Sequence, residues 1–228
     1  AGAAKDITDG ISPSRRPNAG NVDGPGDKAK LGTPQRLAID AKDNVYFTEE
    51  DNAGIRKVAN DDAHTVSTWA PKVAESGRQL SPTFMNGKVY VWGQDGSEVF
   101  VAGFGPDGKV EPVLKGRADL FGYDGSASKS VGGIVNDGAS LFVVFKQRIF
   151  SIGTDGKVAP VAGDEDEQFD LPKDYDPKVP RPADKVQLPQ RSMTATAGLN
   201  AFLAIDSEKD LFVSARLSDP YVIKFECR

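Results

Sequence analysis

The 228-residue sequence contains one cysteine, one histidine and two methionines. With Cys227 alone, an internal disulfide and a cysteine-based metal site are both excluded. A solvent-facing thiol remains, or an intermolecular disulfide joining two copies. With His64 alone, a zinc centre built from several imidazoles is excluded. A Ser-His-Asp hydrolase would need that same histidine, and no G-x-S-x-G elbow occurs. Positive charge is short as well: 28 Lys and Arg against 33 Asp and Glu leave a net charge of −5, which offers no basic field to a phosphate backbone, so nucleic acid is not an expected partner. No apolar run approaches the roughly 20 residues that cross a bilayer, and membrane insertion is not expected. No signal peptide precedes "AGAAKD", a beginning that suits a mature chain released at a small-residue cleavage site; the expected location is secreted or extracytoplasmic. Helical periodicity is missing too, and "GDKAKLG" is too short and closed by glycine at both ends.

Turns and short strands are abundant. The sequence has 24 Gly and 15 Pro, and "NVYFTE", "KVYVWG", "SLFVVF" and "DLFVSA" are β-branched, aromatic and bounded by Gly, Asp or Asn. Aligning Tyr46, Tyr90, Phe142 and Phe212 brings a second aliphatic stretch into register after each, at Ile55, Val99, Ile149 and Val222. An earlier strand precedes each anchor, clear in "RLAID" and "AFLAID" and poor in "SPTFM". A fourth follows in "TVSTWA", "VEPVLK" and "VAPVAG". Four antiparallel strands per repeat is the signature of a propeller blade. The expected fold is therefore all-β, a single β-propeller domain over 1–228. Its blades lie near 34–71, 81–116, 129–163 and 199–228, with a Pro- and acid-rich insertion at 164–198. The last unit stops after its third strand, and "AAKDITD" is the expected donor of the strand that closes the ring, removing a long exposed edge.

The stretch "PQRLAIDAKDNVYFTEEDNAGIRKV", residues 34–58, resembles the NHL repeat at Pro34, Leu37, Ile39, Asp40, Asn44, Tyr46, Asn52, Ile55 and Lys57. The approach "DGPGDKAKLGTP" is similar to the loop that commonly precedes such a repeat. The pattern is broken where "TEED" replaces a single acid. The fourth unit matches in part, the second and third keep only the spacing, and the resemblance covers about half the chain. NHL-like propellers commonly have six blades; four are found here.

Blade topology puts the links between strands one and two, and three and four, at one end. Here these are short Asp-rich turns, "DAKDN", "DSEKD", "GPDGK" and "GTDGK". The long connections fall at the other end, where recognition residues are expected. Trp92, Phe121, Tyr123, Arg148, Arg216 and Tyr221 are the candidate binding residues, being types that dominate interface energetics; Trp92 and Tyr221 adjoin strands and could instead cap the core. The expected role is a non-catalytic binding module for a protein or polysaccharide, with no cofactor. The alternative, implied by resemblance to gluconolactonase-like propellers, is a metal-dependent hydrolase with calcium or another divalent ion on Glu49, Asn52 and Asp95. The insertion reads as a solvated excursion, a lid or a docking arm. Calcium at its Asp164, Asp166 and Asp170 lacks the glycine and distal glutamate of an EF-hand loop. The stretch from Gly103 to Gly108 satisfies a dinucleotide-loop glycine pattern, but Pro106 cannot sit inside the helix that such a loop must open.

Overall fold

A computed structural model describes residues 20–49, 52–70, 72–73, 80–95, 98–116, 118–121, 131–145, 148–163, 202–215 and 221–225. The chain is all-β, built from β-propeller blades in sequence order. The first blade is the antiparallel meander β1 (Pro34–Ile39), β2 (Val45–Glu49), β3 (Asn52–Val58) and β4 (Val66–Ala70). The second runs β5 (Ser81–Met85), β6 (Lys88–Asp95), β7 (Glu98–Phe104) and β8 (Val110–Gly116). The third runs β9 (Val131–Asn136), β10 (Leu141–Phe145), β11 (Arg148–Ile152) and β12 (Val158–Ala162), and the fourth β13 (Phe202–Ile205), β14 (Leu211–Ala215) and β15 (Tyr221–Phe225). The expected closing strand, 3–9, lies outside the described residues. Among the described residues no helix is long and apolar enough to cross a membrane.

Local chemistry explains these strands. β-branched and aromatic residues fill them, and residues tolerant of positive φ close their turns. Asn86 and Gly87, with φ of 51° and 81°, make the two-residue hairpin between β5 and β6. That Asn-Gly pair fixes the first strand of the second blade, the one whose sequence, "SPTFM", reads least like a strand. Pro112 and Pro160 fall in β8 and β12, which stand last in their sheets, so the missing amide interrupts no ladder on the outer side.

The contacts divide the chain into two compact units, residues 1–96 with 101–112, and residues 97–100 with 113–228; the division passes through the second blade. In the first unit, β1 lies beside β5, the Thr48 hydroxyl donates to the Leu80 carbonyl at 3.2 Å, and Trp69 packs between Tyr46 and Phe104. In the second, β9 lies beside β13, and Val144, Ile149 and Ala162 bury Leu211, Val213 and Phe225. Apolar faces of adjacent blades meet in both.

The near-identical turns "GPDGK" and "GTDGK" also serve stacking. Each is closed by a glycine amide, Gly108 to the Gly105 carbonyl and Gly156 to the Gly153 carbonyl, both at 2.9 Å. Both glycines have positive φ, 73° and 81°. A Cβ on Gly108 would stand 2.5 Å from the carbonyl oxygen of Trp69 in β4, and one on Gly156 2.6 Å from that of Val113 in β8. In each case the turn of one blade rests on the fourth strand of the blade before it. Backbone cannot yield as a side chain can. Gly108→Ala and Gly156→Ala are expected to lower unfolding free energy by roughly 2–3 kcal/mol each, combining left-handed strain with overpacking. Gly138→Ala, at φ 89° but with nothing within 4 Å, should cost about 1 kcal/mol from the conformation alone; urea titration of the three variants checks the ranking.

Candidate functional site

The short turns within the blades are closed chemically. Asp40 Oδ1 accepts the amides of Lys42 (2.8 Å) and Asn44 (2.9 Å), while its Oδ2 accepts the Asn44 side-chain amide (2.8 Å) and the Tyr46 hydroxyl (3.1 Å). Asp206 repeats the arrangement in the fourth blade, accepting the amides of Glu208 and Asp210 at 2.9 Å each. Asp137 does so in the third, accepting those of Ala139 (2.8 Å) and Ser140 (2.7 Å). These carboxylates organise their own turns. Burial pushes the Asp40 carboxyl upward, but the bonds from Asn44, Lys42 and Tyr46 outweigh it and hold the group below the ordinary aspartate range. Burial, the Asp40 charge and the hydrogen bond to it push the Tyr46 hydroxyl up to about 12.

At the other end of β2 from the Asp40 turn, the first blade carries a buried ionic fork. Fully buried Arg56 donates from Nη1 to Glu49 Oε2 (3.3 Å) and the Lys30 carbonyl (3.4 Å). From Nη2 it donates to Asp23 Oδ1 (3.0 Å) and the Val22 carbonyl (3.2 Å). Glu49, 1% exposed, accepts the Gly32 amide on Oε1 at 2.6 Å. Asp23 also accepts the amide and hydroxyl of Thr68 at 2.8 and 3.1 Å. The fork pins the 20–33 loop over the blade, where Ala29 is buried with Phe47 and Val66 and where Leu31 and Val58 pack. Glu49 is therefore occupied by an internal cation and an amide, contrary to its expected place as a metal ligand. Asp95 ends β6 on another blade, half-buried, and the side chain of Asn52 lies outside the described residues. Among the described residues no group of three or more His, Cys, Asp or Glu is placed to hold a metal ion.

The binding candidates separate. Trp92 is fully buried in β6, and Phe121 is buried against Phe145 and Phe150, with ring centroids 4.8 and 4.9 Å apart. Both are core residues; the alternation that puts Tyr90 and Trp92 on one side of a strand buried on both faces explains the first. Arg148, at the start of β11, lays its guanidinium 5.4 Å from the Phe150 ring centroid. Tyr221 opens β15 opposite Ala215, its side chain outside the described residues. Tyr123, Arg216, Cys227 and Asp164, Asp166 and Asp170 also lie outside them. His64 is exposed in a turn at φ 47°. Arg56 was not a candidate from sequence. The signals were the extra acid in "TEED" and an arginine whose strand register sets it beside Phe47.

No protein-family model matches the chain, and no curated protein matches it. Solved structures of β-propeller proteins do. A protein of unknown function from Bacteroides thetaiotaomicron superposes with a TM-score of 0.57 at 16% identity, over 91% of this chain and 45% of that one. An auxiliary nutrient binding protein from Bacteroides ovatus gives 0.50 at 10% identity, over 87% and 50%. Virginiamycin B lyase from Staphylococcus aureus gives 0.49 at 13% identity, over 87% and 58%. The chain spans about half the length of the structures it matches, and at these identities the likeness is one of fold.

Two outcomes follow from the fork and the turn. Arg56→Met leaves the Glu49 carboxylate buried without its cation and should cost about 3–5 kcal/mol in urea unfolding, whereas Arg56→Met with Glu49→Leu should recover much of it. Because the folded Tyr46 value is raised from 10 to about 12, its stabilisation is whole below pH 10 and is lost as the pH rises through 12. Absorbance at alkaline pH should show one late-ionising tyrosine that Tyr46→Phe removes.

Proposed function

We propose that this chain is a secreted, non-catalytic binding module, NHL-like in its repeats, that takes a protein or polysaccharide partner on the end carrying its long connections. The observation that supports this most is that the short turns of the blades are taken up by their own hydrogen bonds. At the turn end of their own blades, Asp40, Asp137 and Asp206 are each consumed by backbone amides. Blade topology leads us to expect the connections 71–80, 117–130 and 164–201 at the other end of their blades, with Tyr123 and Arg216 among the candidate contacts. A rigid scaffold with long loops at one end is the usual arrangement for recognition. The similar structure of an auxiliary nutrient binding protein is compatible with such a role. Hydrolysis with a divalent ion is the weaker reading, because Glu49 is already neutralised by Arg56.

Affinity electrophoresis through gels containing soluble xylan, pectin or starch, with cross-linked protein capture from the source fluid in parallel, tests the proposal. Replacing 164–198 by a short Gly-Ser turn, or making Tyr123→Ala with Arg216→Ala, should weaken retention at least about tenfold, or ~1.4 kcal/mol. The turn variants Asp107→Ser and Asp155→Ser should leave it unchanged. Equal retention by all variants, or loss confined to the turn variants, would place recognition elsewhere.

A further inference from the structure

The sequence places glycine after asparagine once, at Asn86-Gly87. This pair is the exposed tip of the hairpin between β5 and β6, with φ of 51° and 81° and the Met85–Lys88 pairing behind it. A two-residue turn of this hand follows the twist of its strands and leaves the amide of its second residue outside the ladder. Four other glycines among the described residues follow an aspartate, and the amide of each is engaged. Gly24 donates to the Val66 carbonyl, Gly108 to that of Gly105 and Gly156 to that of Gly153, all at 2.9 Å, and Gly138 donates to Asn136 Oδ1 at 3.1 Å. Among the described residues the Gly87 amide has no such acceptor, and a Cβ on Gly87 would meet nothing within 4 Å. The aspartates before the other four glycines are occupied as well. Asp23 holds Arg56 and Thr68, Asp137 the amides of Ala139 and Ser140, and Asp107 and Asp155 the amides and side chains of Lys109 and Lys157. Hydrogen bonds from those lysine side chains, then from their amides, keep Asp107 and Asp155 below the ordinary aspartate range. An ionised carboxylate resists attack by a nucleophile; a neutral carboxamide does not.

We propose that Asn86 is a site of covalent self-modification in the folded protein, where its side chain closes on the Gly87 nitrogen and reopens as aspartate or isoaspartate. The reaction needs only these two residues and water, and a hairpin tip reorients without opening the ladder behind it. The Gly87 nitrogen gives up its proton and attacks Asn86 Cγ. A Cγ–N bond forms, the Cγ–Nδ2 bond breaks, and the amide nitrogen leaves with that proton as ammonia. Water then adds to one of the two carbonyl carbons of the five-membered succinimide. Opening at Cγ gives aspartate, whereas opening at the main-chain carbonyl gives isoaspartate, whose chain runs through Cβ and Cγ. In sum, asparagine and water become an acid and ammonia, with no oxidant or cofactor. The two products differ in consequence. Asp-Gly suits the same turn, but isoaspartate adds a main-chain carbon to a loop that the Met85–Lys88 pairing fixes at two residues. That turn holds β5, the strand beside β1, so isoaspartate loosens the contact between the first and second blades.

Peptide mapping by mass spectrometry of the folded chain, held for several weeks at neutral pH and body temperature, provides the test, with electron-transfer fragmentation separating aspartate from isoaspartate. Amide loss at Asn86 should outpace that at every other asparagine, and isoaspartate formation at Asp23, Asp107, Asp137 and Asp155, by at least about tenfold. Asn86→Asp keeps the turn, should leave far-ultraviolet circular dichroism unchanged, and should form isoaspartate at that position at least about tenfold more slowly than the wild type. The aged fraction carrying isoaspartate should unfold at a lower urea concentration than Asn86→Asp. Amide loss at Asn86 seen only in the urea-unfolded chain, faster loss at another asparagine, isoaspartate accumulating first at one of the four Asp-Gly pairs, an Asn86 left intact throughout, or an aged fraction with the urea midpoint of Asn86→Asp would each overturn the proposal.

Discussion

The first blade depends on one guanidinium. Arg56 sits fully buried between Phe47 and Thr68 of the adjacent strands, and a lone cation there would cost several kcal/mol. It is tolerated because Glu49 on the adjacent strand, Asp23 on the 20–33 loop and two loop carbonyls converge on it. The arrangement has a direction. Glu49 and Arg56 belong to the blade, whereas Asp23, Val22, Lys30 and Gly32 belong to the loop, so the ionic fork is what ties a turn-rich segment to a sheet. Once tied, Ala29 and Leu31 cover Phe47, Val58 and Val66, and the blade has an interior on both faces.

Stacking inside the units uses a different device. Gly108 and Gly156 let one blade's turn approach the backbone of the blade before it more closely than any side chain allows. At the matching place in the first blade stands His64, exposed and at positive φ, and the backbone neighbour there is the loop: the Gly26 amide donates to the Ala63 carbonyl at 2.8 Å. Glycine is thus used where a strand is the neighbour, and a side chain is accommodated where the loop is. The short turns of the first, third and fourth blades spend Asp40, Asp137 and Asp206 on their own backbone amides.

The blades were legible because their signals are local: β-branched runs, the anchors Tyr46, Tyr90, Phe142 and Phe212, and Asp-Gly turns at a fixed distance. Unit starts read at 34, 81, 129 and 199 fall within three residues of β1, β5, β9 and β13. Burial of individual side chains was less legible. Trp92 and Phe121 are residue types equally suited to a core and to an interface, and only packing separates the two. Glu49 read as a candidate metal ligand and Arg56 drew no reading, since partnership over seven residues within the blade and over 33 to Asp23 is a tertiary fact with no periodicity of its own.

Native-state hydrogen exchange on the wild type and on Arg56→Met tests most directly whether the fork holds the loop on the blade. The loop amides of Val22, Gly24, Gly26 and Lys30, and the Val66 amide that donates to Gly24, should be protected in the wild type. In the variant they should lose protection together, while β10 and β11 of the third blade keep theirs. Loop protection unchanged in Arg56→Met, or lost no more there than in the third blade, would contradict the account.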